Sequence, residues 1–476
     1  MKSLELYSDV GHPGRDRWRL FVGKKGMAIA VAMASLTWWF SPSSVNALSS
    51  FARQTSQSCG TCHYSFPELT PTGREFKLNG YTLTAEKNIK AEGTSKTAEL
   101  SLPQFVPLSA SLLTSLTYTR LSKPNAQDPS VEVPQGLNLW LAGQILPNFG
   151  EAVQITYTAS DDHFSFDSSD VRYVFQTTLF GEDLIVGIDS NNNPTFEDVW
   201  NSVPAWGFPF ASADSAGFAP GATTLIDGPL AIQVVGGGFY ALFADHLYVL
   251  AEIYRSQHLG VTQPDTGVGP TGSPESINIQ YVAPYWRLAW QQQVGTNNYF
   301  EIGTYGIYVS STYNSLGGST DTYLDLAADL TYELTLGNGD SISVHSTFIY
   351  ESSDLESTPA SVPNHTLETW RLDANYHLGN RFTFTAGPFV TWGTSDSLLY
   401  AVVPPGGGDT TASFANGSPN NLGYIAQAAF WPGQNFQIAL QYRGFIIFNG
   451  ASSNYDGNGR NASDNNTIYA FIWINY

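Results

Sequence analysis

The chain of 476 residues has few charged side chains, only two cysteines and only three methionines. Charged residues make up 13% of it, about half the share found in ordinary soluble domains. Their balance is acidic, 41 against 21, and the resulting net charge of −20 argues against nucleic acid as a partner. With two cysteines the chain lacks the ligands of a zinc site built on cysteine.

Long apolar runs are also missing, with one exception near the amino terminus. Met27–Phe40 is apolar, follows a basic leader and precedes the small residues Val45-Asn46-Ala47, an arrangement typical of a secretory signal peptide. We therefore predict an exported protein with a signal peptide over residues 1–47. No other stretch approaches the roughly 18 apolar residues of a membrane-spanning helix. In a membrane, the chain would have to form a closed β-barrel, because an open sheet leaves backbone groups unpaired in lipid.

Both cysteines belong to one motif, Cys59-Gly60-Thr61-Cys62-His63. In an exported protein, C-x-x-C-H is the attachment signature of a c-type haem, since the two thiols add to two vinyl groups and the histidine ligates the iron. A CxxC disulfide, a zinc half-site and a thioredoxin-like redox pair are the alternatives. The zinc site lacks further cysteines, and the redox pair lacks a βαβ setting. All three methionines lie in residues 1–47, so the mature chain has none for His/Met ligation.

Aromatic residues (14%) and glycines (44) are abundant, and from about residue 105 short segments alternate apolar and polar side chains. The clearest is 322–336, where Asp325, Asp329 and Glu333 share one face. The other face is apolar and consists of Leu324, Leu326, Ala328, Leu330, Tyr332, Leu334 and Leu336. A helix is the alternative, since the acids are four residues apart. The period of two over the whole segment favours a strand.

The alternation predicts sixteen strands. They begin near residues 105, 136, 150, 170, 183, 230, 246, 277, 299, 321, 341, 365, 381, 421, 434 and 466. Short turns alternate with long loops over 120–135, 160–169, 190–229, 256–276, 312–320, 352–364, 395–420 and 449–465. An even strand number, short periplasmic turns and long external loops are typical of transmembrane outer-membrane barrels, and they place both chain ends in the periplasm. A soluble β-sandwich or propeller is the alternative.

Three regions are therefore predicted: the signal peptide 1–47, a small haem domain 48–100 and an all-β barrel 101–476. The haem domain has too few apolar residues for a core of its own, with one helix predicted at Pro71–Leu78. Sixteen strands enclose a wide lumen. We expect the haem domain to plug that lumen from the periplasmic side.

The residues around the motif resemble those of the fused monohaem cytochrome–porins of iron-oxidising bacteria. The likeness covers residues 51–81 and consists of Phe51-Ala52-Arg53-Gln54-Thr55, Cys59-x-x-Cys62-His63, Pro67, Leu69-Thr70-Pro71, Gly73-Arg74 and Phe76-Lys77-Leu78-x-Gly80-Tyr81. Over the barrel the resemblance rests on architecture and length alone.

This resemblance implies an outer-membrane Fe(II) oxidase with one covalently bound haem c. Cys59 and Cys62 would carry the haem, and His63 would be its proximal ligand. Electrons would pass from extracellular Fe(II) to a periplasmic cytochrome c or cupredoxin. By charge, Arg53 and Arg74 are candidate partners of the haem propionates. An outward electron conduit and a diffusion porin with a structural haem segment are the alternatives.

The motif assigns neither the sixth ligand of the haem iron nor the site that captures extracellular Fe(II). Strand phase points His345 and His377 into the lumen near the periplasmic end, which makes them candidate distal ligands. Lumen histidines bound only to water or carboxylate are the alternative, in which case the sixth position of the iron is filled by a lysine or another side chain, or is an open coordination site. Carboxylates and imidazoles suit Fe(II). Two external clusters therefore qualify for capture: Glu197 with Asp198, and Asp161, Asp162 with His163. The aromatic insertion 190–229 has a second interpretation, in which it folds inward and narrows the bore.

Overall fold

The computed structural model describes residues 50–85, 89–91, 100–123, 127–159, 162–213, 218–256, 277–312, 319–400 and 415–476. The predicted signal peptide lies outside these ranges. Within them, no helix is long and apolar enough to cross a membrane.

Antiparallel strands form a closed barrel, and sixteen full strands are found in the described residues. The first strand pairs with the last, Ser111 beside Asn475 and Thr119 beside Thr467, so the sheet has no free edge. The strands are β1 (Leu108–Thr119), β2 (Ser130–Leu146), β3 (Phe149–Thr158), β4 (His163–Leu179), β5 (Glu182–Asn191), β6 (Val234–Phe243), β7 (Leu247–Ser256), β8 (Ala283–Val294), β9 (Asn298–Thr312), β10 (Asp321–Thr335), β11 (Ser341–Asp354), β12 (Asn364–Leu378), β13 (Phe382–Gly393), β14 (Asn421–Gly433), β15 (Phe436–Ile447) and β16 (Thr467–Asn475). The prediction of a sixteen-stranded barrel is confirmed.

Alternation along each strand gives the barrel two different surfaces. In β10, Asp325 and Asp329 are buried on the inside while Leu326 and Leu330 are exposed on the outside, which confirms the strand and excludes the helix. Other exposed apolar residues on strands include Ile155, Phe175, Phe239, Ile253, Trp290, Ile302, Phe348, Leu440 and Ile468. Apolar surface on this scale is stable in lipid rather than in water. The chain thus has the construction of an outer-membrane barrel.

Three strands begin away from their predicted positions. β2 begins at Ser130 and β4 at His163, so the loops predicted over 120–135 and 160–169 are shorter than expected. β8 begins later, at Ala283, after a short bridge in which Asn278–Ile279 pairs with the end of β9. The remaining strands begin within four residues of the predicted positions.

Residues 50–85, called the plug, contain three short helices and a small hairpin. The helices are α1 (Ser50–Thr55), α2 (Cys59–Cys62) and α3 (Pro71–Leu78), and His63–Ser65 pairs with Glu68–Leu69. α3 has the predicted bounds because the Thr70 side chain caps it and proline occupies its first position. A separate short hairpin joins Ile89–Ala91 to Leu100–Leu102.

The plug bonds to inward-facing strand residues. Tyr81 donates to Asp170 on β4 at 2.6 Å, and the Arg74 guanidinium pairs with Glu333 on β10. Both Arg74 and Tyr81 are buried. The plug therefore lies against the inward face of the barrel wall.

Residues 192–213 and 218–233, called the inner segment, connect β5 to β6 through the lumen instead of over its outer rim. Val199, Trp200 and Val203 form one buried cluster with Leu78 of the plug and with inward strand residues. Ala211 packs against the opposite wall, beside Ala429, Ala439, Tyr469 and Phe471. The second interpretation of the 190–229 insertion is thus confirmed: it folds inward and fills much of the bore.

Candidate functional site

Cys59 and Cys62 are brought together by α2, a single helical turn. Both are free thiols, each is half-buried, and both line the same cavity. Burial raises the pKa of Cys59 to about 11, and the charge of Cys62 adds to the effect. α3 packs closely on this turn, since a Cβ at Gly73 would lie 2.2 Å from the Cys62 carbonyl oxygen. Glycine at position 73 therefore fixes the turn against its neighbour.

His63 begins the hairpin that follows the turn. Its Nδ1 lies 3.3 Å from the backbone oxygen of Glu68, an arrangement in which Nδ1–H donates and Nε2 keeps its lone pair. Burial lowers the pKa of His63 to about 4, so the ring is neutral at ordinary pH. Metal-ligating histidines are usually held in this way by a second hydrogen bond. His63 is therefore in the form that can ligate iron.

The cavity beside these three residues has a volume of about 230 Å³. The plug contributes Phe51, Phe76 and Tyr81 to its lining. The inner segment and β16 contribute an aromatic wall, in which the rings of Trp206, Phe210 and Trp473 stack with interplanar angles of 8° and 9°. Two thiols, a neutral imidazole and an apolar wall suit a flat aromatic macrocycle, so the residues present fit a covalently attached haem.

Arg53 and Arg74 are not part of this lining, which departs from their predicted role at the propionates. The Arg74 guanidinium forms two bonds with the Glu333 carboxylate, a third with the Leu69 carbonyl at 3.0 Å, and lies 4.1 Å above the Tyr299 ring. Arg53 donates to the carbonyls of Val106 and Leu108. A buried guanidinium needs a carboxylate partner, and β10 supplies it for Arg74.

His345 and His377 face the lumen as predicted, but neither lines the cavity. Both turn towards the Glu68 carboxylate, His377 Nε2 at 3.2 Å and His345 Nε2 at 3.8 Å. His345 Nδ1 also lies 2.9 Å from Asp373. Both imidazoles are thus engaged by carboxylates, and their role as distal ligands stays a prediction.

Glu68 links the plug to the wall through these two histidines. Burial alone would raise its pKa, but the facing imidazoles of His377 and His345 lower it to about 2. Because the pKa in the folded protein lies below the ordinary value of 4.5, the ionised carboxylate stabilises the fold above pH 4.5.

Acidification is therefore expected to loosen the plug. Between pH 4.5 and about 2 the contribution of Glu68 should be lost, and the difference between these pKa values corresponds to about 3 kcal/mol. Protease protection of the plug, measured across this range, tests the expectation. Glu68→Gln should have weaker protection at pH 6 and little further loss on acidification. Equal pH profiles for the two proteins would contradict it.

The sequence predicted no role for Lys77, yet this residue joins the plug to the inner segment. Its buried Nζ donates to the carbonyls of Phe196 and Asp198 at 2.7 and 2.6 Å and to Asn201 Oδ1 at 2.8 Å. Burial, followed by the charge of Arg172, lowers the pKa of Lys77 to about 8. The acceptors lie more than a hundred residues away, so no local pattern reveals them.

The prediction of an external iron site at Glu197 and Asp198 is wrong. Both residues are fully buried in the inner segment, and Asp198 pairs with Arg287 on β8 at 3.2 Å. Of the second cluster, Asp161 lies outside the described residues, Asp162 accepts a hydrogen bond from Tyr157, and His163 is exposed at the start of β4. That cluster stays a prediction.

Comparisons with known proteins identify no family. No family model and no curated protein matches the chain. Among solved structures, OmpF of Salmonella typhi in complex with daunomycin has a TM-score of 0.45 at 11% identity, covering 78% of this chain and 98% of that one. An anion-selective porin from Comamonas acidovorans gives 0.45 at 10% identity, with 78% and 98% covered. An OmpT variant of Vibrio cholerae gives 0.43 at 10% identity, again with 78% and 98% covered.

Proposed function

We propose that the protein is an outer-membrane c-type cytochrome that takes electrons from extracellular Fe(II). One haem c, attached to Cys59 and Cys62 with His63 as proximal ligand, would pass them to a periplasmic cytochrome c or cupredoxin. The observation that supports this most is the shared cavity, in which both thiols and a neutral, oriented imidazole meet an aromatic wall. The family proposed is that of the fused monohaem cytochrome–porins.

Each part of the site has a separate task in this proposal. When bound, the haem supplies a one-electron couple between ferric and ferrous iron. The Glu68 carbonyl orients His63, and the rings of Trp206, Phe210 and Trp473 keep water from the cavity. A dry, apolar surrounding is one of the factors by which a protein sets the potential of a haem.

The lengths of the connections support the proposed orientation in the membrane. Turns of a few residues join β2 to β3, β4 to β5, β6 to β7, β8 to β9, β10 to β11, β12 to β13 and β14 to β15, and the long connections lie at the other end. Short turns are periplasmic in outer-membrane barrels. Both chain ends would then be periplasmic, with the haem site near the turn end, close to Asn380 and Gln434.

Addition of Fe(II) to the purified, oxidised protein is expected to produce the visible spectrum of reduced haem. Full reduction by dithionite serves as the reference for the amplitude. A haem that dithionite reduces but excess Fe(II) leaves ferric would contradict iron oxidation. A redox titration distinguishes Fe(II) oxidation from the outward electron conduit, because a haem potential well below that of the iron couple would favour outward electron transfer.

A diffusion porin is the second candidate, because a closed sixteen-stranded barrel is also the fold of porins. The buried cluster of Val199, Trp200 and Val203 with Leu78 favours a blocked bore instead. Liposomes containing the protein are therefore expected not to swell in small sugars. Swelling at the rate of a general porin would favour the diffusion channel.

A further inference from the structure

Two hydrogen-bond donors in the cavity wall have no partner among the described residues. They are the indole Nε1–H of Trp473 and the amide Nδ2–H₂ of Asn475, and both atoms are buried. The two residues are two positions apart on β16, so their side chains point to the same face of the strand, which is the lumen face. Both line the cavity. Buried donors are normally paired, and an unpaired one calls for an acceptor that arrives with a ligand.

The other polar groups of the same wall are already engaged. Lys77 Nζ has its three acceptors, Asn201 donates to the Pro67 carbonyl at 3.0 Å, and Gln154 donates to Thr156 at 2.9 Å. Asn138 donates to Ser111 at 2.9 Å. Among the described residues, this wall keeps two unpaired N–H donors two positions apart on the same face of β16, and a carboxylate can accept from both because it has two acceptor oxygens.

The two donors also lie on the side of the cavity where His63 stands. The Phe66 ring is 4.6 Å from the His63 ring and 6.2 Å from the Trp473 ring, measured between centroids. A ligand held by His63 at its centre would therefore bring its rim towards β16. The stacking of Trp473 on Phe210, at 5.5 Å and 9°, fixes the indole in that position.

We propose that Trp473 and Asn475 bind a carboxylate of the group held in the cavity. This inference rests on the proposed function, under which the carboxylate is a haem propionate. The last strand of the barrel thus anchors the haem at its rim, the task that sequence reasoning gave to Arg53 and Arg74. Two neutral donors hold the carboxylate ionised without adding a positive charge beside the iron.

Resonance Raman spectroscopy of the haem-loaded, full-length protein tests the inference, because the propionate bending band reports hydrogen bonds to the carboxylate. Trp473→Phe removes the indole donor and keeps a ring against Phe210. Asn475→Leu removes the amide at similar volume. In each variant the band should move, and the apparent pKa of the propionate, followed through the pH dependence of the midpoint potential, should rise by about one unit.

Trp431→Phe is the matched control. Trp431 on β14 also contacts Phe66, and its indole N–H is likewise buried without a partner in the described residues. It lines a separate small pocket beside Cys59 and His63 and not the 230 Å³ cavity that Trp473 and Asn475 line. The control should leave the band and the titration unchanged. Wild-type spectra for both Trp473→Phe and Asn475→Leu would overturn the inference, as would a shift confined to Trp431→Phe. Wild-type protein without any bound haem would overturn the proposed function and the inference with it.

Discussion

Replacement of both Cys59 and Cys62 by alanine is expected to remove all covalently bound haem while the barrel still forms. The thioether bonds need both sulfur atoms, and the chain has no other cysteine. The closed sheet begins at Leu108 and takes none of its ladder bonds from α2. Haem staining after denaturing electrophoresis measures attachment, and heat-dependent gel mobility of the same samples reports barrel folding.

Thr61→Ser is the matched control, because Thr61 lies between the two cysteines and its hydroxyl contact with Ser58 at 3.1 Å survives the change. This variant should keep full haem staining. Either single alanine variant should retain haem through one thioether only, with weaker staining and a shifted absorption maximum. Haem that stays covalently bound in the double variant would refute attachment at this motif.

The barrel could be predicted from sequence because its determinants are local. From Asp325 to Glu333 on β10, the inward residues are polar or small and the residues between them are apolar and face lipid, so the period of two is visible without a partner strand. The start of β4 was nevertheless missed. His163, Ser165 and Asp167 alternate with Phe164 and Phe166 ahead of the predicted start near residue 170, but their polar side chains resemble those of a turn and hide the strand.

The candidate site could be predicted only where its residues are close together in the sequence. Cys59, Cys62 and His63 lie within five positions, and the helix after them is set by its own cap and proline. Partners of Arg74 were not predictable, since Glu333 is 259 residues away and only the closed barrel brings it near. Charge alone predicted a haem propionate as the partner of Arg74, whereas the fold supplies the carboxylate of Glu333.

The inner segment shows a second limit of sequence reasoning, since it is acidic and sits between two strands like an ordinary external loop. A cation on a distant strand helps to hold it inward, since the Arg287 guanidinium on β8 pairs with the Asp198 carboxylate inside the lumen. Aromatic residues such as Trp200 and Trp206 were the available signal, because large rings are favoured in buried positions rather than in solvated loops.

Arg287→Met is expected to destabilise the barrel by about 3–5 kcal/mol, because it leaves buried carboxylates without their cation. The guanidinium is fully buried and lies within 3.2 Å of Asp198, Glu301 and Asp329, the last at 2.7 Å. These contacts join the inner segment to β9 and β10. The free energy of unfolding, from urea titration of the barrel in detergent micelles, measures the effect.

Two further variants test whether unpaired charge causes the loss of stability in Arg287→Met. One is Arg443→Met, and the other adds neutralising substitutions to Arg287→Met. Arg443 also lies on the inner wall, but the described residues place the rings of Phe389 and Phe445 beside it, so its loss should lower the free energy of unfolding by about 1 kcal/mol or less. Adding Glu301→Gln and Asp329→Asn to Arg287→Met removes two of the stranded charges and should recover part of the loss. If Arg287→Met were as stable as Arg443→Met, or if the neutralised variant were no more stable than Arg287→Met alone, the arginine would not be what holds the inner segment in the lumen.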